Sequence, residues 1–167
     1  MSTKQSAFGR PATLWELCEQ TVEAILTRPL NYYQDEFCVD AKDYMLDKKG
    51  DALKDACGTA YCRSGWMGTI LGLDSWEGLA CVPEKLLIDA GISMFEIGKL
   101  FDATGGNNYI SSKMDHAGCT PGTKAYARAG AAGLKKFMRK HRKKLEAARL
   151  MKLAGEYSVE YSVKMED

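Results

Sequence analysis

The chain has 167 residues and a formal net charge of +1, with apolar residues at 46% and charged residues at 27%. These values are ordinary for a globular protein, and they exclude a polyanion binder that acts through its overall charge. No apolar run approaches the roughly 18 residues that a membrane-spanning helix needs, and the first six residues lack the apolar core of a secretion signal. We therefore expect a cytoplasmic protein whose six cysteines are reduced thiols. We expect one helical domain over 12–155, a flexible tail over 1–11, and a tail or edge strand over 156–167.

The first predicted element is a helix between Thr13 and Arg28. Thr13 and Glu16 have the spacing of a capping box, and Arg28-Pro29 ends the helix because a residue before proline avoids the α conformation. The apolar residues between them recur at helical spacing; they are Leu14, Leu17, Cys18, Val22, Ile25 and Leu26. We predict a loop with a short helical turn over 30–39, and two short helical pieces over 40–56.

The stretch 56–73 contains two cysteines, four glycines and one tryptophan, with almost no charge. We predict that Thr59 is the N-cap of a buried central helix that runs from Ala60 to Leu71. Each glycine in a helix costs about 1 kcal/mol relative to alanine, so a helix that keeps several of them predicts close approach of another backbone. The glycines concerned are Gly65, Gly68 and Gly72.

The motif Cys57-Gly58-Thr59-x-x-Cys62-x-x-Gly65 resembles a pattern in a family of small bacterial and phage proteins that has no established activity. The resemblance extends over roughly 14–102 and includes Leu71-Gly72-Leu73 and Leu100-Phe101. It implies a similar architecture, and by association a phage-type regulatory or host-inhibiting role. Arg63-Ser64 departs from the small or apolar residues that are usual there, which predicts that this face of the helix is not fully buried.

Three further elements follow. Pro83 is predicted at the first position of a helix that Gly91 stops, and Ser93 with Glu96 forms a second capping box. The inward residues of that next helix are Met94, Ile97, Leu100 and Phe101. An irregular stretch over 103–120 precedes a long final helix over 121–154, whose small residues are expected to pack against the glycines of the central helix.

The final helix has seven cations on one face. Such a cluster attracts phosphates by counterion release, and no aromatic residues are interleaved to read bases. The alternative is an ordinary solvated face of an amphipathic helix. We predict that this basic face binds an anionic surface on a protein or a nucleic acid. Its residues are Lys135, Lys136, Arg139, Lys140, Arg142, Lys143 and Lys144.

A possible Cys₃His zinc set is formed by Cys57, Cys62, His116 and Cys119, although the Cys57–Cys62 spacing is loose for zinc. Cys57 or Cys62 near a helix N-terminus, with His116 as base, is also a candidate nucleophile pair. The alternative for both is packed free thiols.

Together these patterns predict a mostly α fold, a bundle of about five to seven helices with a possible short C-terminal strand. The predicted function is non-enzymatic, with no catalytic residues and no required cofactor: an accessory protein that acts as a regulator or inhibitor of a host nucleic-acid-associated system. The alternative function is a thiol- or zinc-dependent enzyme centred on Cys57, Cys62 and His116.

Overall fold

A computed structural model describes residues 9–32, 38–40, 59–73, 75–101, 118–153 and 160–167. This part of the chain is mostly helical and has a short antiparallel sheet at its C-terminus, which confirms the predicted fold class. Its α-helices are α1 (Leu14–Thr27), α2 (Arg63–Ile70), α3 (Trp76–Asp89), α4 (Met94–Phe101), α5 (Lys124–Lys140) and α6 (Arg142–Ala147). Its strands are β1 (Cys38–Asp40), β2 (Thr59–Tyr61), β3 (Ala148–Leu153) and β4 (Glu160–Met165). None of the described helices combines the length and the apolar character that a bilayer crossing requires.

Several predictions concern residues outside these ranges. They are the tail over 1–8, nearly all of the two helical pieces over 40–56, and the irregular stretch over 103–120 except its last three residues. The candidate ligands Cys57 and His116 also lie there.

Helix α1 begins and ends where the sequence predicts. The Thr13 hydroxyl accepts a hydrogen bond of 3.1 Å from the Glu16 backbone N–H, and the Glu16 carboxylate accepts one of 2.6 Å from the N–H of Ala12. A 3₁₀ helix over Pro29–Asn31 follows directly. The predicted apolar stripe is buried except for Leu26, whose side chain is 39% exposed. The start of α1 is therefore fixed by reciprocal capping, which satisfies backbone donors that have no helical partner.

Helix α2 starts three residues later than predicted. Residues 59–61 form β2, which pairs antiparallel with β1, and Cys62 is the N-cap through a 3.4 Å contact from the Gly65 N–H to its sulfur. The prediction that Thr59 caps the helix is therefore wrong. At the other end Gly72 has φ +79°, and the N–H of Leu73 donates to the Gly68 carbonyl at 2.9 Å. Gly72 thus ends the helix, since glycine adopts the left-handed conformation without strain.

Close backbone approach occurs at Gly68, as predicted, but its partner is α3 rather than the C-terminal helix. A Cβ at residue 68 would lie 2.9 Å from the Cα of Leu79. Helix α3 begins at Trp76, with Ser75 as its N-cap, and Pro83 lies inside it. The prediction that Pro83 opens this helix is therefore wrong, because an earlier cap was available and the helix continues through the proline.

An internal proline has no N–H, so the carbonyl four residues earlier, that of Leu79, lacks its usual helical donor. The Ser64 hydroxyl of α2 donates to this Leu79 carbonyl at 2.9 Å. Ser64 and Gly68 lie one turn apart on the same face of α2, so both meet α3 at Leu79. The crossing of α2 and α3 therefore compensates for the proline.

Helix α5 packs on α1 through a buried face. It begins at Lys124, where the Thr123 hydroxyl accepts a 3.2 Å hydrogen bond from the Tyr126 N–H, and a break at His141 separates it from α6. The predicted single helix over 121–154 is therefore shorter than expected at both ends. The buried residues of α5 are Tyr126, Ala127, Gly130, Ala131, Leu134, Phe137 and Met138.

The C-terminal strands form a hairpin in which Leu150 pairs with Val163 and Lys152 with Tyr161. The predicted edge strand is present, but its partner, β3, was predicted to be the end of the last helix. The Tyr161 hydroxyl donates to the Leu71 carbonyl at 2.7 Å, and the Leu150 N–H donates to the Ala12 carbonyl at 2.9 Å. The hairpin is thereby attached to the end of α2 and the start of α1.

Candidate functional site

The predicted basic face lies on the C-terminal half of α5 and on α6. All seven of its cationic residues are exposed, whereas Leu134, Phe137, Met138 and Leu145 between them are buried. This alternation at helical spacing buries the apolar side against the core and leaves the cations in solvent. The structure therefore brings the predicted site residues together on one surface.

Three cations of the basic face have partners. Lys140 forms an ion pair with Glu96 at 2.9 Å, and Arg142 forms one with Glu146 at 2.7 Å. The ammonium of Lys144 donates to the carbonyl of Gly91. The contacts of Lys140 and Lys144 use part of the positive charge to hold α5 and α6 against neighbouring elements, whereas the Arg142–Glu146 pair lies within α6.

The other four cations, Lys135, Lys136, Arg139 and Lys143, make no ion pair with any residue of the described chain; we call them the open cations. Three of them, Lys135, Lys136 and Arg139, lie within about 6 Å along α5 at a rise of 1.5 Å per residue, and Lys143 follows on α6 beyond the break at His141. The open cations therefore form a strip of positive charge that runs from the last turns of α5 onto α6.

Next to this strip, a cavity of about 220 Å³ opens between α2, α4 and α5. We call it the cationic cavity, and its charged residues come from all three helices. They are four cations, two of which belong to the basic face, and one carboxylate: Arg63, Lys99, Lys136, Lys140 and Glu96. The sequence does not indicate this cavity, because Arg63 and Lys99 are far from the basic face along the chain.

Arg63 lies at the base of the cationic cavity and is fully buried, with 0% of its surface exposed. Its Nε and Nη2 groups donate to the Gly130 carbonyl at 3.1 and 2.9 Å, and its Nη1 group donates to the Leu100 carbonyl at 3.0 Å. Leu100 lies in the last turn of α4, where carbonyls have no intrahelical donor and the helix dipole is negative. The prediction that the Arg63-Ser64 face is incompletely buried is therefore wrong, because main-chain carbonyls compensate for the buried charge. Ser64 is fully buried as well.

Glu96 connects the cations at the mouth of the cationic cavity. Its carboxylate lies 2.9 Å from Lys140 Nζ, 3.6 Å from Lys99 Nζ and 3.5 Å from His141 Nε2. The hydrogen bond from Lys140 is the main cause that lowers the pKa of Glu96 below its ordinary value, with His141 and the charge of Lys99 acting in the same direction. Glu96 is therefore ionised at neutral pH and occupies the position of an anion among these cations.

An exposed aromatic ring stands beside Lys99. Phe95 is 59% exposed, and the Lys99 ammonium lies 3.9 Å from the centroid of its ring. Met94, which was predicted to face inward, is 54% exposed, so the first turn of α4 projects into solvent. The sequence predicted no aromatic residue near the basic face. The fold supplies two from other helices: Phe95 of α4, and Trp15 of α1, whose ring centroid lies 5.4 Å from the Arg142 guanidinium.

The cysteine residues give less support to the alternative function. Burial raises the pKa of the Cys62 thiol to about 11, against the opposing effects of the Gly65 N–H and the Arg63 charge. Such a thiol is protonated at neutral pH, which is the reverse of an activated nucleophile. Cys119 is half-buried, and within the described ranges no group of three or more candidate ligands is placed to hold a metal ion. The zinc set stays a prediction, since Cys57 and His116 lie outside those ranges.

The two surface features are therefore the strip of open cations and the cationic cavity, which share Lys136 with each other. Lys140 joins them as well, since it lies on the basic face and lines the cavity.

Comparisons of the chain with protein-family models, with curated proteins and with solved structures find no match.

Proposed function

We propose that this protein is a non-enzymatic accessory protein that binds the phosphate backbone of a nucleic acid through its basic face. The observation that carries the proposal is the strip of open cations, which are exposed and have no acidic partner in the described chain. Exposed cations of this kind are free to replace the counterions of a polyanion. A regulatory or host-inhibiting role, which the resemblance implies, remains a prediction.

A nucleic acid suits this face better than an acidic protein does. Stable protein interfaces centre on buried aromatic or aliphatic anchors, and none of the large exposed apolar residues lies between 135 and 147. Beside the open cations Lys135 and Arg139 the aromatic side chain is Trp15, which is half-buried, and the exposed Phe95 lies beside Lys99 of α4. Phosphate contacts, by contrast, need only positioned cations. The span of about 6 Å that the three open cations on α5 cover is close to two steps of about 3.4 Å along one DNA strand.

The test compares two quadruple variants in a DNA-binding assay. The first changes the open cations Lys135, Lys136, Arg139 and Lys143 to Gln. The matched control removes the same charge from exposed residues outside α5 and α6: Arg10, Lys85, Lys152 and Lys164. Fluorescence anisotropy with duplex and single-stranded DNA should show binding by the wild-type protein and by the control, and a loss of about 100-fold or more in the open-cation variant. Equal loss in both variants would show that overall charge, rather than the basic face, causes binding and would contradict the proposal.

A further inference from the structure

The cationic cavity has the charge of a site for a small, doubly charged anion. Lys99, Lys136 and Lys140 line it together with the buried Arg63, against the single carboxylate of Glu96. Arg63 has no exposed surface, and its Nε, Nη1 and Nη2 groups donate to main-chain carbonyls. It therefore contributes its charge to the cavity, while the three lysines supply the contacts to a ligand.

The size of the cavity limits the ligand. A volume of about 220 Å³ is below the 300–1,000 Å³ that is usual for a drug-sized molecule and equals roughly seven times the share of one liquid water molecule. It therefore accommodates a phosphate group with some water, and the rest of a nucleotide would lie outside. Phe95 stands beside Lys99 and is exposed, so a base outside the cavity has an aromatic ring on which to stack.

From these observations we infer that the cationic cavity binds a terminal phosphate, a phosphomonoester dianion, at the end of a nucleic-acid strand or on a free mononucleotide. This inference rests on the proposed function for the strand, because the open cations would hold the backbone that leads to the cavity. Lys136 and Lys140 belong to both surfaces, so a strand that follows the basic face reaches the cavity without a gap in positive charge. An internal phosphodiester has one negative charge and two ester substituents, so it offers fewer charged oxygens to the lysines of the cavity than a terminal phosphate does.

Glu96 is the internal competitor of this ligand. Its carboxylate is already bonded to Lys140 at 2.9 Å and lies 3.6 Å from Lys99, both of which a phosphate would use. Removing the negative charge should therefore release both ammonium groups and tighten phosphate binding. Glu96→Gln keeps the shape of the side chain, so an increase in phosphate affinity would measure the effect of the lost negative charge alone.

The experiment measures anisotropy for one short single-stranded DNA with a 5′ phosphate, with a 3′ phosphate, or with hydroxyls at both ends. A hydroxyl-ended strand that is two nucleotides longer matches the two negative charges that a terminal phosphate adds. We expect one phosphorylated form to bind about tenfold tighter than the longer hydroxyl-ended strand, because charge-assisted hydrogen bonds to the extra oxygens are gained. Lys99→Gln should abolish this preference, Glu96→Gln should increase it, and Lys143→Gln should weaken all strands equally while the preference stays.

A second titration compares 2′-deoxyadenosine monophosphate with deoxyadenosine by calorimetry and does not depend on the basic face. If the mononucleotide binds and Lys99→Gln prevents binding, the inference is supported even where no strand binds and the proposed function fails. If strands bind equally well with and without a terminal phosphate, the inference is overturned and the proposed function stands. Absence of any preference for phosphate in both titrations overturns the inference.

Discussion

The ring of Tyr32 lies directly against the backbone of Gly130, at the point where α5 passes the 3₁₀ helix. A Cβ at residue 130 would overlap the hydroxyl and ring carbons of Tyr32, which is fully buried. The carbonyl of the same glycine accepts two hydrogen bonds from Arg63. Residue 130 must therefore have no side chain, because Tyr32 fills the space, and its carbonyl must face Arg63. Both contacts fix the position of α5, the helix that carries the basic face.

Gly130→Ala should destabilise the protein. In an exposed helix, replacing glycine by alanine raises the free energy of unfolding by about 1 kcal/mol, whereas overpacking of a filled core lowers it by about 1–3 kcal/mol. Because a Cβ at residue 130 would overlap the buried Tyr32 ring, the cost should lie in the upper part of the overpacking range, at about 2–3 kcal/mol. We therefore expect a net loss of about 1–2 kcal/mol in the free energy of unfolding, measured by urea titration. Gly9→Ala is the control, since a Cβ there meets nothing within 4 Å. A Gly130→Ala protein as stable as the wild type would refute the close contact.

The bond from Ser64 to the Leu79 carbonyl predicts coupling between Ser64 and Pro83. Ser64→Ala leaves a buried carbonyl without this donor and should cost about 1–3 kcal/mol. Pro83→Ala restores a backbone N–H to the same carbonyl, so Ser64→Ala should cost less in that background. A double-mutant cycle in urea measures the difference, and strictly additive effects of the two changes would contradict the compensation.

The ion pairs of Glu96 predict a pH dependence of stability. The pKa of Glu96 is lower in the folded protein than the unfolded value of about 4.3, so the ionised carboxylate stabilises the fold above that pH. The contribution is lost as the pH falls through the folded pKa. Glu96→Gln should lower the free energy of unfolding at pH 7 by up to about 1 kcal/mol, and the difference should vanish well below pH 4.

The measurement is chemical denaturation of both proteins at a series of pH values. Glu146→Gln is the control, because its pair with Arg142 is between exposed side chains of one helix, 67% and 45% accessible. A Glu96→Gln effect that is constant down to pH 2 would show that shape rather than charge is responsible.

The buried thiols predict an order of alkylation. Burial raises the pKa of Cys18 to about 12 and that of Cys62 to about 11, and both side chains are inaccessible. Cys81 is exposed. At neutral pH, iodoacetamide should label Cys81 long before Cys18 or Cys62, as followed by peptide mass spectrometry. Early, selective labelling of Cys62 would contradict its assignment as a packing residue and support the thiol-enzyme alternative.

The parts of the fold that follow from the sequence are those with local signals. Thr13 and Glu16 cap α1, Pro29 ends it, and the cations of α5 recur at helical spacing around a buried stripe. These signals act within one or two turns, so the rest of the chain is not needed to interpret them.

The parts of the fold that the sequence does not predict depend on contacts between residues that are far apart along the chain. Residues 148–153, Ala-Arg-Leu-Met-Lys-Leu, are strong helix formers, yet they pair with β4 and with the start of α1, because tertiary contacts override a weak local preference. Pro83 lies within α3 because Ser64, nineteen residues earlier, satisfies the carbonyl that the proline leaves open. The cationic cavity similarly needs Arg63 and Lys99 to meet α5, which no spacing in the sequence indicates.

The most direct test of the proposed function is the salt dependence of DNA binding. For a protein whose four open cations replace counterions, the logarithm of the association constant for duplex DNA should fall with the logarithm of salt concentration at a slope near −3.6. Changing the open cations to Gln should bring this slope close to zero, while the matched control with four other charges removed should keep it. Identical slopes for the wild-type protein and the open-cation variant would contradict the assignment of binding to the basic face.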